Sequence, residues 1–129
     1  GVNGIDGLVS TFLGWSQKER TNWCLLGDLS LMYDMNGFWP LSQLASESIH
    51  VAVINNGGGR IFERLFQNQR FLNLHDHNFK SLAAFWRLHH HEVASPNEWA
   101  LQAGPCLYEL TPCPEQSRHF WEELNEVKL

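Results

Sequence analysis

Apolar residues along this chain fall into short unbroken runs, separated by stretches in which they recur at helical spacing. Trp23 to Leu26 and Ile49 to Ile54 are the clearest runs. Bounded by Gly and Asn, such runs read as strands of a parallel sheet buried on both faces. Cys106 to Leu110 reads as a further strand, and His89 to Val93 as a more polar, edge-like one. Leu8, Val9, Phe12 and Leu13 share one face of a helix that Asp6 can cap. Residues 16–22 are polar and read as a loop. A helix is expected over Leu29 to Ala45, in one or two pieces, because Gly37 weakens it and Pro40 can restart it. A short helix is expected from Arg60 or Ile61 to Gln67, then a loop to Asn78, then a helix over Phe79–Trp86. Ser95-Pro96-Asn97-Glu98 signals a helix start that Gly104-Pro105 soon closes. Pro112 and Pro114 mark the exit from the last strand, and Glu115 to Lys128 reads as a terminal helix with Phe120, Trp121, Leu124 and Val127 toward the core. Strands alternating with helices over short links imply an α/β fold, a three-layer sandwich around a mostly parallel sheet.

Two strand ends carry the candidate chemistry. The first run leads into Gly27-Asp28-Leu29-Ser30, and the second into Asn55-Asn56-Gly57-Gly58-Gly59. An acidic residue therefore sits at one strand tip and an amide pair at the next, and open α/β sheets bind ligands outside the carboxyl ends of their strands. Carboxylate, amide and backbone oxygens suit a hard cation such as Mg2+, which shares its shell with phosphate and water. Glycines after Asn56 let the backbone approach a ligand closely. The amides of Leu29 and Ser30 are free to bind phosphate. A carboxylate alone would repel a diphosphate, so a cation between them is the economical reading.

These residues resemble a known family. Gly-Asp, a gap of 25 residues from Ser30 to Ile54 and then Asn-Asn are similar to the signature of thiamine diphosphate enzymes. Leu29 stands where most members have a second glycine. Gly27-Asp28-Leu29-Ser30, the upstream Asn3-Gly4-Ile5-Asp6-Gly7-Leu8 and the downstream Gly-Gly-x-Ile-Phe resemble the menaquinone-pathway branch, the 2-succinyl-5-enolpyruvyl-6-hydroxy-3-cyclohexene-1-carboxylate (SEPHCHC) synthases. The resemblance is specific from Gly4 to Phe62. It implies a thiamine diphosphate-binding fold, with residues 1–129 as a C-terminal domain that binds diphosphate and Mg2+. It implies Mg2+ held by Asp28, Asn56 and the Gly58 carbonyl, with Asn55 as the register alternative. Cofactor contacts would come from Gly4, Ile5, Gly27, Asp28, Leu29, Ser30, Asn56, Gly58, Gly59 and Ile61, and substrate contacts from Phe62, Arg64 and Leu65. The family transferase decarboxylates 2-oxoglutarate and adds the product to isochorismate. Its catalytic Glu belongs to a pyrimidine-binding domain, usually of a second subunit in a homodimer or homotetramer. Glu63, Glu92 and Glu98 stand in no equivalent context, so no catalytic residue is assigned here and the chain alone is expected to be inactive. Arg60 replaces a small or polar residue, Phe66 replaces Pro, and the segment after Ser95 is shorter than in the family. Rival readings are an acetolactate-synthase-like enzyme, a keto-acid decarboxylase, or a non-catalytic metal- or nucleotide-binding module.

Composition narrows the remaining classes. The chain has 129 residues, 43% of them hydrophobic, with six Trp and eight Phe, enough for the core of one modest domain. A net charge of −5 without a basic stripe argues against nucleic acid. No apolar run approaches the roughly 20 residues of a membrane span, and no signal peptide is visible. Cys24, Cys106 and Cys113 lack metal spacing and suit a reducing cytoplasm, with Cys24 a buried thiol. The chain starts at Gly1 inside a motif, so a fragment of a longer protein is expected. His75-Asp76-His77 and His89-His90-His91 invite a metal reading, but no set of three or four ligands is evident, and no transition-metal site is expected there. Arg60 and Arg64 read as solvated surface charges, and Asp34 as a solvated or capping residue.

Overall fold

The computed structural model describes residues 5–44, 48–63, 65 and 68–127. Gly4 and Arg64 lie outside the described residues, as do Phe66 and the helix ends expected at Ala45, Gln67 and Lys128.

Each apolar run forms a strand. β1 (Thr21–Gly27), β2 (Ser48–Ile54), β3 (His89–Val93) and β4 (Cys106–Leu110) make one sheet in the order β1-β2-β4-β3, and every pairing is parallel. Gly27, Ile54, Leu110 and Val93 stand in register across it. Asp28, Asn55, Thr111 and Ala94 therefore leave its carboxyl edge side by side. Successive side chains point to opposite faces. Leu26, Ile49, Val51, Val53 and Leu107 meet Val9 and Leu13 of α1 (Leu8–Trp15), Leu31 of α2 (Asp28–Tyr33), and Phe38 and Leu41 of a 3-10 segment, Met35–Gln43. Phe79 and Ala83, at α3 (Lys80–Phe85), complete this core. Each fully buried aliphatic side chain contributes about 1.5–3 kcal/mol, so this cluster is the main source of stability.

The chain steps across the sheet in one direction from β1 to β2 to β3, then back to β4. Right-handed crossovers place that return on the opposite face. Trp99, from the returning segment, indeed lies flat on Tyr108 with ring centroids 5.0 Å apart. Around them Trp23, His50 and His91 stack on the same face. The architecture is thus α/β, with a parallel sheet between a full helical layer and a thin layer that contains only one 3-10 turn, Pro96–Glu98.

Several local expectations change. Asp6 does not cap α1, which starts behind Gly7 in a left-handed conformation. Asp34 does so from a distance: Ser10 donates its amide to Asp34 Oδ2 at 3.0 Å. The long helix splits, and Pro40 sits inside the 3-10 segment instead of restarting an α-helix. Gly37 packs so closely there that a Cβ would lie 2.8 Å from both Asp34 and Ser10. After the glycine turn, among the described residues, Arg60–Phe62 is a 3-10 turn, and Gln69–Leu72 forms another inside the expected loop. Cys24 is half-buried and Cys106 is the fully buried thiol; burial pushes both thiols up. The largest difference concerns α4 (Pro114–Glu126), of which no residue is buried. Phe120, Trp121, Leu124 and Val127 are 47–60% exposed. One sheet face is already filled by α1, α2, the 3-10 segment and α3, and the other carries only the thin connection, so α4 joins neither core cluster.

Candidate functional site

Asp28 is the first residue of α2, directly beyond the last residue of β1, and is only 3% exposed. Its carboxylate gathers the neighbouring backbone. Leu29 donates its amide to Oδ1 at 2.7 Å, and Gly57 and Gly58 donate theirs to Oδ2 at 2.9 Å each. The Leu29 amide is therefore committed to Asp28 and is not free for phosphate, contrary to the expectation from sequence. His75 Nε2 lies 3.2 Å from Oδ2. No Lys or Arg lies within ion-pair distance of Asp28 among the described residues. A buried carboxylate without a cationic side chain favours a bound cation.

The glycine turn is shaped by a second segment. Gly58 has φ +133°, and a Cβ there would lie 2.6 Å from the Leu72 carbonyl, so only glycine fits. Gly59 donates to Leu72 O, and His75 donates its amide to Gly57 O at 3.2 Å. Residues 72–75 thus lie along one side of the turn. Gly27 differs: a Cβ there would meet nothing, so open space adjoins Asp28.

The two asparagines separate. Asn55 is buried and donates from Nδ2 to Glu109 Oε1 at 2.6 Å and to the His77 carbonyl at 2.8 Å. Asn56 is exposed, and its carbonyl accepts from Arg60 Nε at 3.2 Å. Arg60 also pairs with Glu63 at 3.0 Å. Ile5, Ile61, Phe62 and Leu65 are exposed, while Ser30 is half-buried behind Asp28. The structure therefore brings Asp28 together with Gly57 and Gly58. It does not bring the Asn56 side chain into a hydrogen bond among the described residues.

Sequence reasoning missed Glu109. It is 3% exposed and binds Asn55, the Phe79 amide at 3.0 Å and His90 Nε2 at 2.8 Å. A carboxylate within the apolar run 106–110 was the available signal. Glu109 locks the end of β4 to the start of α3, and lines a cleft of about 370 Å³ with Asn55, Asp76, His77 and Glu92. His90 and His91 point to opposite faces of β3, one to Glu109 and the other to Tyr108. No group of three or more His, Cys, Asp or Glu is placed to hold a metal among the described residues. The candidate cation set is correspondingly one carboxylate plus neutral oxygens.

His50 and His91 sit in the aromatic face. Burial pushes both imidazoles below their usual 6.5, and the neighbouring His89 and His90 add to the effect on His91. The folded chain then binds fewer protons than the unfolded chain as pH falls through 6.5. Their neutral forms cost nothing above that value, and stability drops below it until the lower folded pKa is passed. The thermal midpoint is expected to fall from pH 7.5 to pH 5.5, and less steeply in His50→Gln. Equal slopes in the two proteins would contradict the assignment.

The comparisons with known proteins agree on one family. The chain is 44% identical over 126 residues to the SEPHCHC synthase of Bdellovibrio bacteriovorus, covering 95% of this chain and 24% of that protein. It is 35% identical over 133 residues to the synthase of Akkermansia muciniphila, covering 93% and 25%. For that of Acaryochloris marina the values are 36% over 135 residues, 95% and 21%. The chain is homologous to one portion of the SEPHCHC synthases. It spans about a quarter of the length of these relatives. No protein-family model matches it. No helix among the described residues is long and apolar enough to cross a membrane.

Proposed function

We propose that this chain is the C-terminal diphosphate- and Mg2+-binding domain of a thiamine diphosphate-dependent SEPHCHC synthase of menaquinone biosynthesis. In that role the whole protein would decarboxylate 2-oxoglutarate and add the product to isochorismate. The observation that carries the reading is a buried Asp28 carboxylate at a strand end, held by the amides of Gly57 and Gly58, with no Lys or Arg within ion-pair distance among the described residues. Similarity over 95% of the chain to a synthase of that name supports it.

The residues fit the group. Asp28, the Asn56 amide and the Gly58 carbonyl offer the all-oxygen set that Mg2+ prefers. Asn55 remains the register alternative, with its Nδ2 tied to Glu109 and His77. Gly27 would leave room for phosphate, with Ser30 and Gly59 as the further contacts that the family resemblance implies. Ile5 and Ile61 would flank the rings, and Phe62 and Leu65 the substrate. Thiamine diphosphate itself supplies the nucleophilic carbon when bound. This chain's residues anchor its charged end and fix where its rings emerge. Arg60, tied to Glu63 and the Asn56 carbonyl, braces the turn.

The test is consumption of 2-oxoglutarate by the whole protein with isochorismate present. It should require both thiamine diphosphate and Mg2+. Equal consumption of pyruvate would favour an acetolactate-synthase-like enzyme, and no consumption of any keto acid a non-catalytic module.

A further inference from the structure

One buried hydrogen-bond donor beside Asp28 lacks an acceptor. The His77 amide donates to His75 Nδ1 at 3.2 Å. A ring nitrogen that accepts carries no hydrogen, so Nδ1 is bare and the ring's hydrogen is on Nε2. The His75 side chain is only 6% exposed, and its Nε2 makes no hydrogen bond among the described residues. Asp28 Oδ2 is 3.2 Å away but out of line with the N–H, and it already accepts from two glycine amides. Buried donors are seldom left unsatisfied, and an orphan 3.2 Å from the Asp28 carboxylate is placed to meet an acceptor that Asp28 itself gathers. The ring is also held in place. Its backbone amide donates to Gly57 O, and its face stacks on His77 with centroids 5.3 Å apart. With Nε2 carrying the hydrogen, this nitrogen cannot ligate a cation, so the missing partner is an oxygen with lone pairs.

We propose that His75 Nε2–H donates to a phosphoryl oxygen of the diphosphate bound at Asp28. This rests on the reading that Asp28 and the glycine turn hold a metal-bound diphosphate. The cation neutralises part of the diphosphate charge, and His75 grips one of its oxygens. That makes His75 a direct ligand contact that selects oxyanions, separate from the cation's own ligands. Residues 72–75 then serve the site through this ring as well as by shaping the turn.

The probe is inorganic pyrophosphate, titrated calorimetrically into the whole protein at saturating Mg2+. His75→Phe should weaken pyrophosphate binding about tenfold or more, as expected for loss of a hydrogen bond to a charged group. Binding of Mn2+ without pyrophosphate, followed by electron paramagnetic resonance, should stay unchanged. His75→Gln should recover part of the pyrophosphate affinity through its amide N–H. In the unaltered protein, the 15N resonance of His75 Nε2 should move on adding Mg2+ with pyrophosphate and not with Mg2+ alone, a reading that needs no variant. Unchanged pyrophosphate affinity in His75→Phe would overturn the proposal. An equal loss of Mn2+ affinity would overturn it too, since His75 would then be positioning Asp28. Asp28→Asn separates the underlying reading: if that variant binds Mg2+ and pyrophosphate normally, the site itself is wrong and the role of His75 falls with it.

Discussion

Asp28→Ala in the whole protein is expected to abolish Mg2+-dependent binding of thiamine diphosphate, with affinity falling more than a hundredfold. Partners that merely orient a metal ligand already account for about 10–100-fold in affinity, and a direct ligand should exceed that. Asp28 is the sole carboxylate of the candidate set, so alanine leaves only neutral oxygens beside a cofactor end that carries up to three negative charges. Alanine also strands the amides of Gly57 and Gly58, which now donate to Asp28 Oδ2. Each buried donor left without a partner costs about 1–3 kcal/mol, so the variant will be less stable as well. Binding must therefore be measured well below its melting midpoint. Asp28→Asn removes the charge while keeping one acceptor oxygen, and should fold better than alanine yet still lose the cation. Cofactor affinity unchanged in either folded variant would remove Asp28 from the site.

Much of this arrangement was legible because its signals are local. Both apolar runs read as strands buried on both faces, which holds for β2 but not for β1, where Trp23 and Leu25 are exposed, and glycines and asparagines at their ends mark where the chain turns over a carboxyl edge. The parallel sheet and the position of Asp28 opposite the glycine turn follow from those features alone. What stayed hidden depends on residues distant in sequence. Asp34 caps α1 from 24 positions away, and nothing near Asp6 shows that it is displaced. Gly58 needs to be glycine because of Leu72, and the loop before Asn78 gave no hint of that contact. Asn55 and Asn56 look alike in sequence, but strand alternation and Glu109 bury the first and leave the second at the surface. In α4 the apolar spacing correctly gave a helix and an apolar stripe. Periodicity cannot say what a stripe will meet, and within this chain it meets neither core cluster.

The isolated 129-residue chain is expected to consume no 2-oxoglutarate, even with thiamine diphosphate, Mg2+ and isochorismate supplied. Its site is one-sided. Ile5, Ile61, Phe62 and Leu65, the apolar residues assigned to the cofactor rings and substrate, are all exposed, so rings placed against them would stay wet on their other face. The family resemblance places the required glutamate in another domain, and the glutamates nearest the site or buried in the fold have other partners or places. Glu63 is paired with Arg60, Glu98 accepts the Ala94 amide at 3.0 Å, Glu109 is held by three donors, and Glu92 lines the cleft beside it. A missing general acid or base alone typically costs about 10²–10⁴-fold, and a missing apolar wall adds a loss of affinity. The relatives are about four times longer, which leaves ample chain for both missing parts. The whole protein should therefore turn over, and its remaining domains supplied in trans should restore part of the activity. Keto-acid consumption measured on the homogeneous chain is the check. Robust turnover there would refute the one-sided site, and with it the claim that no catalytic acid or base lies between Gly1 and Leu129.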